Sequence, residues 1–307
     1  MLRDILRATP QVAAVRRVID LATADVLLLA GMDFDHDGLA LTALSEGLAR
    51  PYPHRLPLLG NAGLATGLDL DGDDRRGGAG DRQSYGRFAG QDGMAILSRL
   101  PIDTAAAWHL NDLLWRDIPD SHLVDAGGQK GAAAVGAAVV RLSSGGHWAV
   151  PILLPDGARL TLLGFHAAPP VFDGPEDRNG WRNHDEIRLW QQLLDDALPR
   201  PAPRGAFVLA GAANNDPVAG EGRHVAIRGL LADPRLQDPR PASAAGGAAN
   251  VDWPKPGPGR LRVDYLLPAA RLKVLGAGVI WPRDTDPEAA TVATASRHRL
   301  IWVDLEF

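Results

Sequence analysis

Apolar positions along the chain follow two rhythms. In PQVAAVRRVIDLATA, Val12, Val15, Ile19 and Ala22 recur at helical spacing behind Pro10, which predicts a helix. DVLLLAG (25–31) is continuously apolar and too short for a core helix, so it reads as a strand buried on both faces. LALTALSEGLA (39–49) reads as a helix and MAILSR (94–99) as a strand. WAVPILL (148–154) and LTLLGFH (160–166) read as a strand pair around a Pro-Asp-Gly turn. NHDEIRLWQQLLDDAL (183–198) is the strongest helix. Asn183 is placed to cap it, Glu186 takes the capping-box position, and Ile187, Trp190 and Leu194 share a face. FVLAG (207–211) is a strand, HVAIRGLLAD (224–233) a short helix, RVDYLLP (262–268) a strand, and HRLIWVDLEF (298–307) a terminal strand. The elements alternate without a low-complexity linker. The expectation is one α/β domain over 1–307, with two sheets face to face and helices outside. Segments 69–92 and 240–260, rich in Gly, Pro and Asp, read as long loops.

Composition narrows the picture modestly. A chain of 307 residues that is 46% hydrophobic and 22% charged has an ordinary globular balance. No apolar run reaches the ~18 residues of a membrane span, and MLRDILRATPQVAAV carries no secretory h-region. With no cysteine, disulfides and thiolate metal sites are excluded, while the compartment stays open. A net charge of −5 without a basic stripe argues against nucleic acid as the main partner, and the chain is expected to act as a monomer.

Polar groups gather where strands end. LTLLGFH ends at His166, FVLAG runs into Asn214 and Asp216, Asp264 lies inside an apolar strand, and Ser296, Arg297 and His298 precede the last strand. Each has an ordinary structural explanation: Asp264, for instance, could pair with Arg262. Four such ends in one α/β chain favour a site, because these folds gather function in the loops beyond their strands.

SRLPI at 98–102, a strand ending in His166, a Gly-x-x-Asn loop at 211–214, Val-Asp-Tyr at 263–265 and Ser-x-His at 296–298 occur in that order. The set resembles the endonuclease/exonuclease/phosphatase superfamily, the DNase-I-like fold, across nearly the whole chain. The resemblance implies an α/β two-sheet β-sandwich flanked by helices, in four layers. It also implies metal-dependent hydrolysis of a phosphomonoester or phosphodiester, with nucleic acid among the substrate classes. An active-site Mg2+ or Mn2+ would offset phosphate charge, and His166, Asn214, Asp264 and His298 would match the catalytic set. The departures are as informative. Ala212 stands at the loop aspartate, Arg297 at the Asp of Ser-Asp-His, and Gly31 at a metal-binding glutamate. The family's first strand is expected to be absent, since the sequence opens almost directly at its first helix. An impaired member that binds a phosphate-containing ligand is therefore the alternative.

Three further clusters carry expectations. Asp33 and Asp35, with His36 and Asp37, are the obvious replacement metal ligands, or else a solvated acidic turn. Asp69, Asp71, Asp73 and Asp81 place oxygen ligands at alternate positions, which suits a structural Ca2+, although the glycine and closing glutamate of an EF-hand are absent. Arg178, Asn179 and Arg182, with His184, precede the expected helix and suit an anion such as phosphate. They could equally be a loop pinned by Asp177 and Asp185. A calcium-stabilised interaction module is the third class, and it requires the strand-end residues to be scattered.

Overall fold

The structure is a computed structural model that describes residues 1–123 and 136–307. Two short helices, α1 (Leu2–Leu6) and α2 (Pro10–Ala22), lead into β1 (Val26–Met32) and α3 (Leu39–Glu46). Strands β2 (His54–Leu58), β3 (Gly93–Ser98), β4 (Trp108–His109), β5 (Gly146–Leu153) and β6 (Arg159–His166) follow. Then come α4 (Arg178–Leu194), β7 (Ala206–Ala212), α5 (His224–Leu231), β8 (Val251–Trp253), β9 (Gly259–Leu261) and β10 (Asp264–Pro268). β11 (Lys273–Val279), α6 (Ala289–Ala295) and β12 (Ile301–Glu306) close the chain.

Strand alternation builds the layers. In β3, Met94 and Ile96 join Leu162, Val208 and Ala210 between the two main sheets, while Ala95 and Leu97 turn outward to Ile5, Ile19, Leu41 and Leu44 of α1 to α3. On the far side, Leu163, Phe165 and Leu209 pack against Ile187, Trp190, Leu193 and Ile227 of α4 and α5. The order is helices, sheet β1-β3-β2, sheet β10-β7-β6-β5-β4, helices. This is the expected four-layer sandwich. β11 with β12 and β8 with β9 form two-stranded additions.

Three expectations change. β1 is hydrogen-bonded on one side only, to β3, so Leu28 and Leu29 are half-buried and Ala30 is exposed. Both faces are nevertheless covered, Leu27 and Leu29 by the helices and Val26 and Leu28 by the inter-sheet core, so the expected burial on both faces holds in part. α4 begins at Arg178, so Asn183 and Glu186 are not caps; both are fully buried inside the helix. Segment 240–260 is not all loop, because it holds β8 and the entry to β9.

Candidate active site

The sheet register brings three strand ends into one row. His166 of β6 pairs with Ala212 of β7, and Ala212 pairs with Asp264 of β10. Register partners share a face. Leu162, Ala210 and Leu266, two or four residues along the same strands, pack in the inter-sheet core, so the row faces the space between the sheets at one end of the sandwich. Ala212, 4% exposed, is the middle position, where a longer side chain would lie between the His and the Asp. Gly211 permits the close approach of β7 to β6, since a Cβ there would sit 1.9 Å from the Phe165 carbonyl oxygen.

Asp264 is held by its neighbours. The Asn250 side chain accepts from the backbone N–H of Val263 and Asp264 and donates to the Asp264 carbonyl at 2.7 Å. Arg262 makes a two-pronged pair with Asp238 at 2.7 and 2.5 Å, which leaves Asp264 for His298. His298 Nδ1 lies 2.8 Å from Asp264 Oδ2, and Trp253 meets the imidazole edge-on at 5.4 Å. Partial desolvation pulls the His298 pKa down, but the charge and hydrogen bond of Asp264, aided by Asp92, leave it raised. Bonded through Nδ1, the ring offers Nε2 to a ligand. His166 Nδ1 is buried against Gly145 and has no hydrogen-bond partner among the described residues.

Asn214 sits in a left-handed turn (φ 53°) and donates Nδ2 to the Ala167 carbonyl at 2.9 Å, tying the β6 and β7 loops together. Below it, buried Asn183 of α4 donates to the carbonyls of Ala168 and Ala213, both at 2.7 Å, and accepts from Asn215 Nδ2 at 2.8 Å. Glu186 accepts from the N–H of Ser144 and Ala168. One helix thus fixes both loops that carry the row.

The end of β1 supplies carboxylates. Gly31 lies in a bulge with φ 74°, and a Cβ there would come within 3.2 Å of Asp92 Oδ1. The carboxylate of Asp92 therefore stands beside the position that lacks one. Its backbone N–H donates to Asp33 Oδ1 at 3.1 Å, and its charge reaches His298. Asp35 does not join them. Its two oxygens accept from Leu39 and Ala40 N–H at 2.6 and 2.9 Å and cap α3. Sequence reading missed Asp92 because it looked beyond strand ends, whereas Asp92 precedes a strand and reaches Gly31 through the β1–β3 pairing.

The other clusters divide. Asp69, Asp71 and Asp81 place oxygens within 4.8 Å of one another, but Asp73 is outside that group and accepts from Arg75 N–H. Asp81 accepts from Leu70 and Gly78 N–H, which holds its pKa below the usual range, the Leu70 bond weighing most. Of the expected phosphate-binding group Arg178, Asn179 and Arg182, the last two have side-chain donors engaged by backbone carbonyls. Arg182 is buried and donates to the carbonyls of Leu142, Gln83 and Arg141, and Asn179 donates to the Val171 carbonyl. Arg178 lies over Trp115. Asp177 pairs with Arg223 at 2.7 Å, and Asp185 binds Trp115 and His122, so this stretch is a pinned segment.

Residues 2–298 match the Endonuclease/Exonuclease/phosphatase family, and the chain belongs to it. Similar solved structures include an endonuclease/exonuclease/phosphatase from Beutenbergia cavernae DSM 12333 (16% identity, TM-score 0.58), which covers 96% of this chain while this chain spans 65% of that one. A family protein from Leptotrichia buccalis C-1013-b (16%, TM-score 0.54) covers 97% of this chain and 93% of its own. Sphingomyelinase C from Streptomyces griseocarneus (20%, TM-score 0.51) covers 96% and 89%. At these identities the likeness establishes the DNase-I-like fold. No curated protein sequence matches the chain. No helix among the described residues is long and apolar enough to cross a membrane.

Proposed function

We propose that the chain is a divalent-cation-dependent phosphoesterase with a reduced carboxylate set. The observation that carries this reading is the Asp264–His298 pair at one end of a row that also contains His166. Asp264 orients the His298 imidazole and favours its cationic form, in which it can hold or protonate a phosphoryl oxygen. His166 lies in the same row, in register with Ala212. A cation fits the donor set at β1: Asp33 and Asp92 offer hard oxygen atoms, and Asp92 occupies the space that a side chain at Gly31 would take. When bound, Mg2+ or Mn2+ would offset phosphate charge. The Asp69, Asp71 and Asp81 oxygens are kept as a separate calcium expectation. Ala212 specifically favours a second reading, an impaired member that binds its ligand and turns it over slowly, because the central position of the row has no functional group.

The test is hydrolysis of aryl phosphomonoester and phosphodiester substrates with Mg2+ or Mn2+. Ala212→Asp should raise the rate by roughly 100-fold, the lower end of what a positioned acid or base contributes. His298→Ala should lower it by a similar factor, and Asp92→Asn should raise the Mn2+ concentration needed for half-maximal rate. A fast parent enzyme indifferent to all three changes would place the site elsewhere.

A further inference from the structure

A second constellation of chemically competent side chains lies where α4 meets the segment ending at His122, apart from the strand-end row. His122, His184 and Asp185 bring one ligand atom each within 4.8 Å of one another. His122 Nδ1 lies 2.7 Å and His184 Nδ1 3.0 Å from the same oxygen, Asp185 Oδ1. The opposite oxygen, Oδ2, accepts from Trp115 Nε1 at 2.7 Å and from the His122 backbone N–H at 2.8 Å. That pair of bonds fixes the carboxylate with Oδ1 turned toward both imidazoles, the support that metal-ligating groups characteristically receive. Trp181 stacks on His122 with 4.5 Å between centroids and 7° between planes, and His184 meets His122 edge-on at 4.8 Å. Ring orientation is therefore set before any ion arrives.

We propose that this trio is a site for a borderline-soft divalent transition ion of the Zn2+ class, bound through His122 Nδ1, His184 Nδ1 and Asp185 Oδ1. Two imidazoles and one carboxylate are a donor set such ions favour and Mg2+ or Ca2+ do not. The spacing is close to what the ion requires. Ligand atoms at ~2.1 Å from a tetrahedral centre stand about 3.4 Å apart, so Asp185 Oδ1 must part from His122 Nδ1 by about 0.7 Å and from His184 Nδ1 by about 0.4 Å as the ion replaces the protons between nitrogen and oxygen. Access comes from one side: His184 and Asp185 are buried at 9% and 3% exposure, while His122 is 25% exposed. The bound ion would fasten the 115–122 segment to α4, the helix whose Asn183 and Glu186 hold the β6 and β7 loops. This inference does not depend on the phosphoesterase reading.

The experiment titrates the full chain, stripped of metal by chelator, with Co2+ and follows the visible ligand-field absorption. Saturable bands should appear, be displaced by Zn2+ and withstand a large excess of Mg2+, and Zn2+ should raise the melting temperature by mass action. His122→Gln and His184→Gln should each weaken Co2+ binding by at least about 100-fold, the upper end of the loss caused by removing even an outer partner. Should His184→Gln fail to fold by circular dichroism, His122→Gln, on the partly exposed side, carries the comparison. Absence of bands at millimolar Co2+, or equal affinity in the parent and a folded variant, would overturn the site and leave a hydrogen-bonded trio.

Discussion

Asp264 and His298 show how one carboxylate sets the behaviour of a residue beside it. The imidazole is 37% exposed, and the charge and hydrogen bond of Asp264 outweigh the desolvation that opposes its protonation. A folded-state pKa above the ordinary 6.5 means that the imidazolium stabilises the fold fully below that pH. The contribution is lost as the pH rises through the raised value. Asp264→Asn removes both the charge and the charge-assisted bond, so His298 should titrate at lower pH by proton NMR of its ring, and the alkaline limb of any phosphoesterase profile should move the same way. A His298 pKa equal to that of the parent would mean that Asp264 does not tune it. At position 212 the same reasoning runs in reverse. The backbone still delivers a side chain between His166 and Asp264, but alanine has nothing to deliver.

Among the elements, α4 is the one on which the row depends. Its Asn183 makes three buried hydrogen bonds that join the loops after β6 and β7. Asn183→Ala should cost about 2–4 kcal/mol, since each buried group left unpaired carries a penalty of about 1–3 kcal/mol. Urea unfolding would measure the loss, and one below 1 kcal/mol would show that water replaces the side chain. This helix also marks where sequence reading reached its limit. Periodicity gives Ile187, Trp190 and Leu194, but it reads Asn183 and Glu186 as capping residues because polar side chains buried in a helix look no different in sequence from those at its end. The long apolar strands are legible, as are the strand-end positions of His166, Asp264 and His298, since a polar residue after or within an apolar run stands out. β11, with its glycines, and α6, AATVATA, lack that contrast. The half-exposed state of β1 was not legible either, because composition cannot say how many edges of a strand are paired.

Across the whole molecule, the outer helical layer is joined to the sheet by an acid and a base whose charged forms burial disfavours. His147 of β5 bonds Ser143 Oγ through Nδ1 at 2.5 Å and the Glu186 carbonyl through Nε2 at 2.9 Å. Burial pushes its pKa down to about 4 from 6.5. Burial likewise pushes the Glu186 carboxyl up to about 7 from 4.5, against the opposing pull of Arg182 and the Ser144 and Ala168 N–H groups. The two shifts act on stability with opposite signs. A base whose folded pKa is depressed stabilises the fold above 6.5 and loses that contribution as the pH falls to about 4. An acid whose folded pKa is raised stabilises it below 4.5 and loses that contribution as the pH rises to about 7. Each window is worth about 3 kcal/mol. Between them the folded chain holds its proton on Glu186 and the unfolded chain holds it on His147, so the pair takes up no net proton and its combined contribution barely changes with pH. Glu186→Gln removes one side of this balance. Relative to the variant, the parent should gain about 3 kcal/mol as the pH falls from 7 to 4.5, and the variant should show the acid lability of His147 unmasked. Urea unfolding of both proteins at half-unit steps across that range measures the difference. Parallel stability curves would show that Glu186 is ionised in the folded protein throughout, held by its two backbone N–H donors and Arg182.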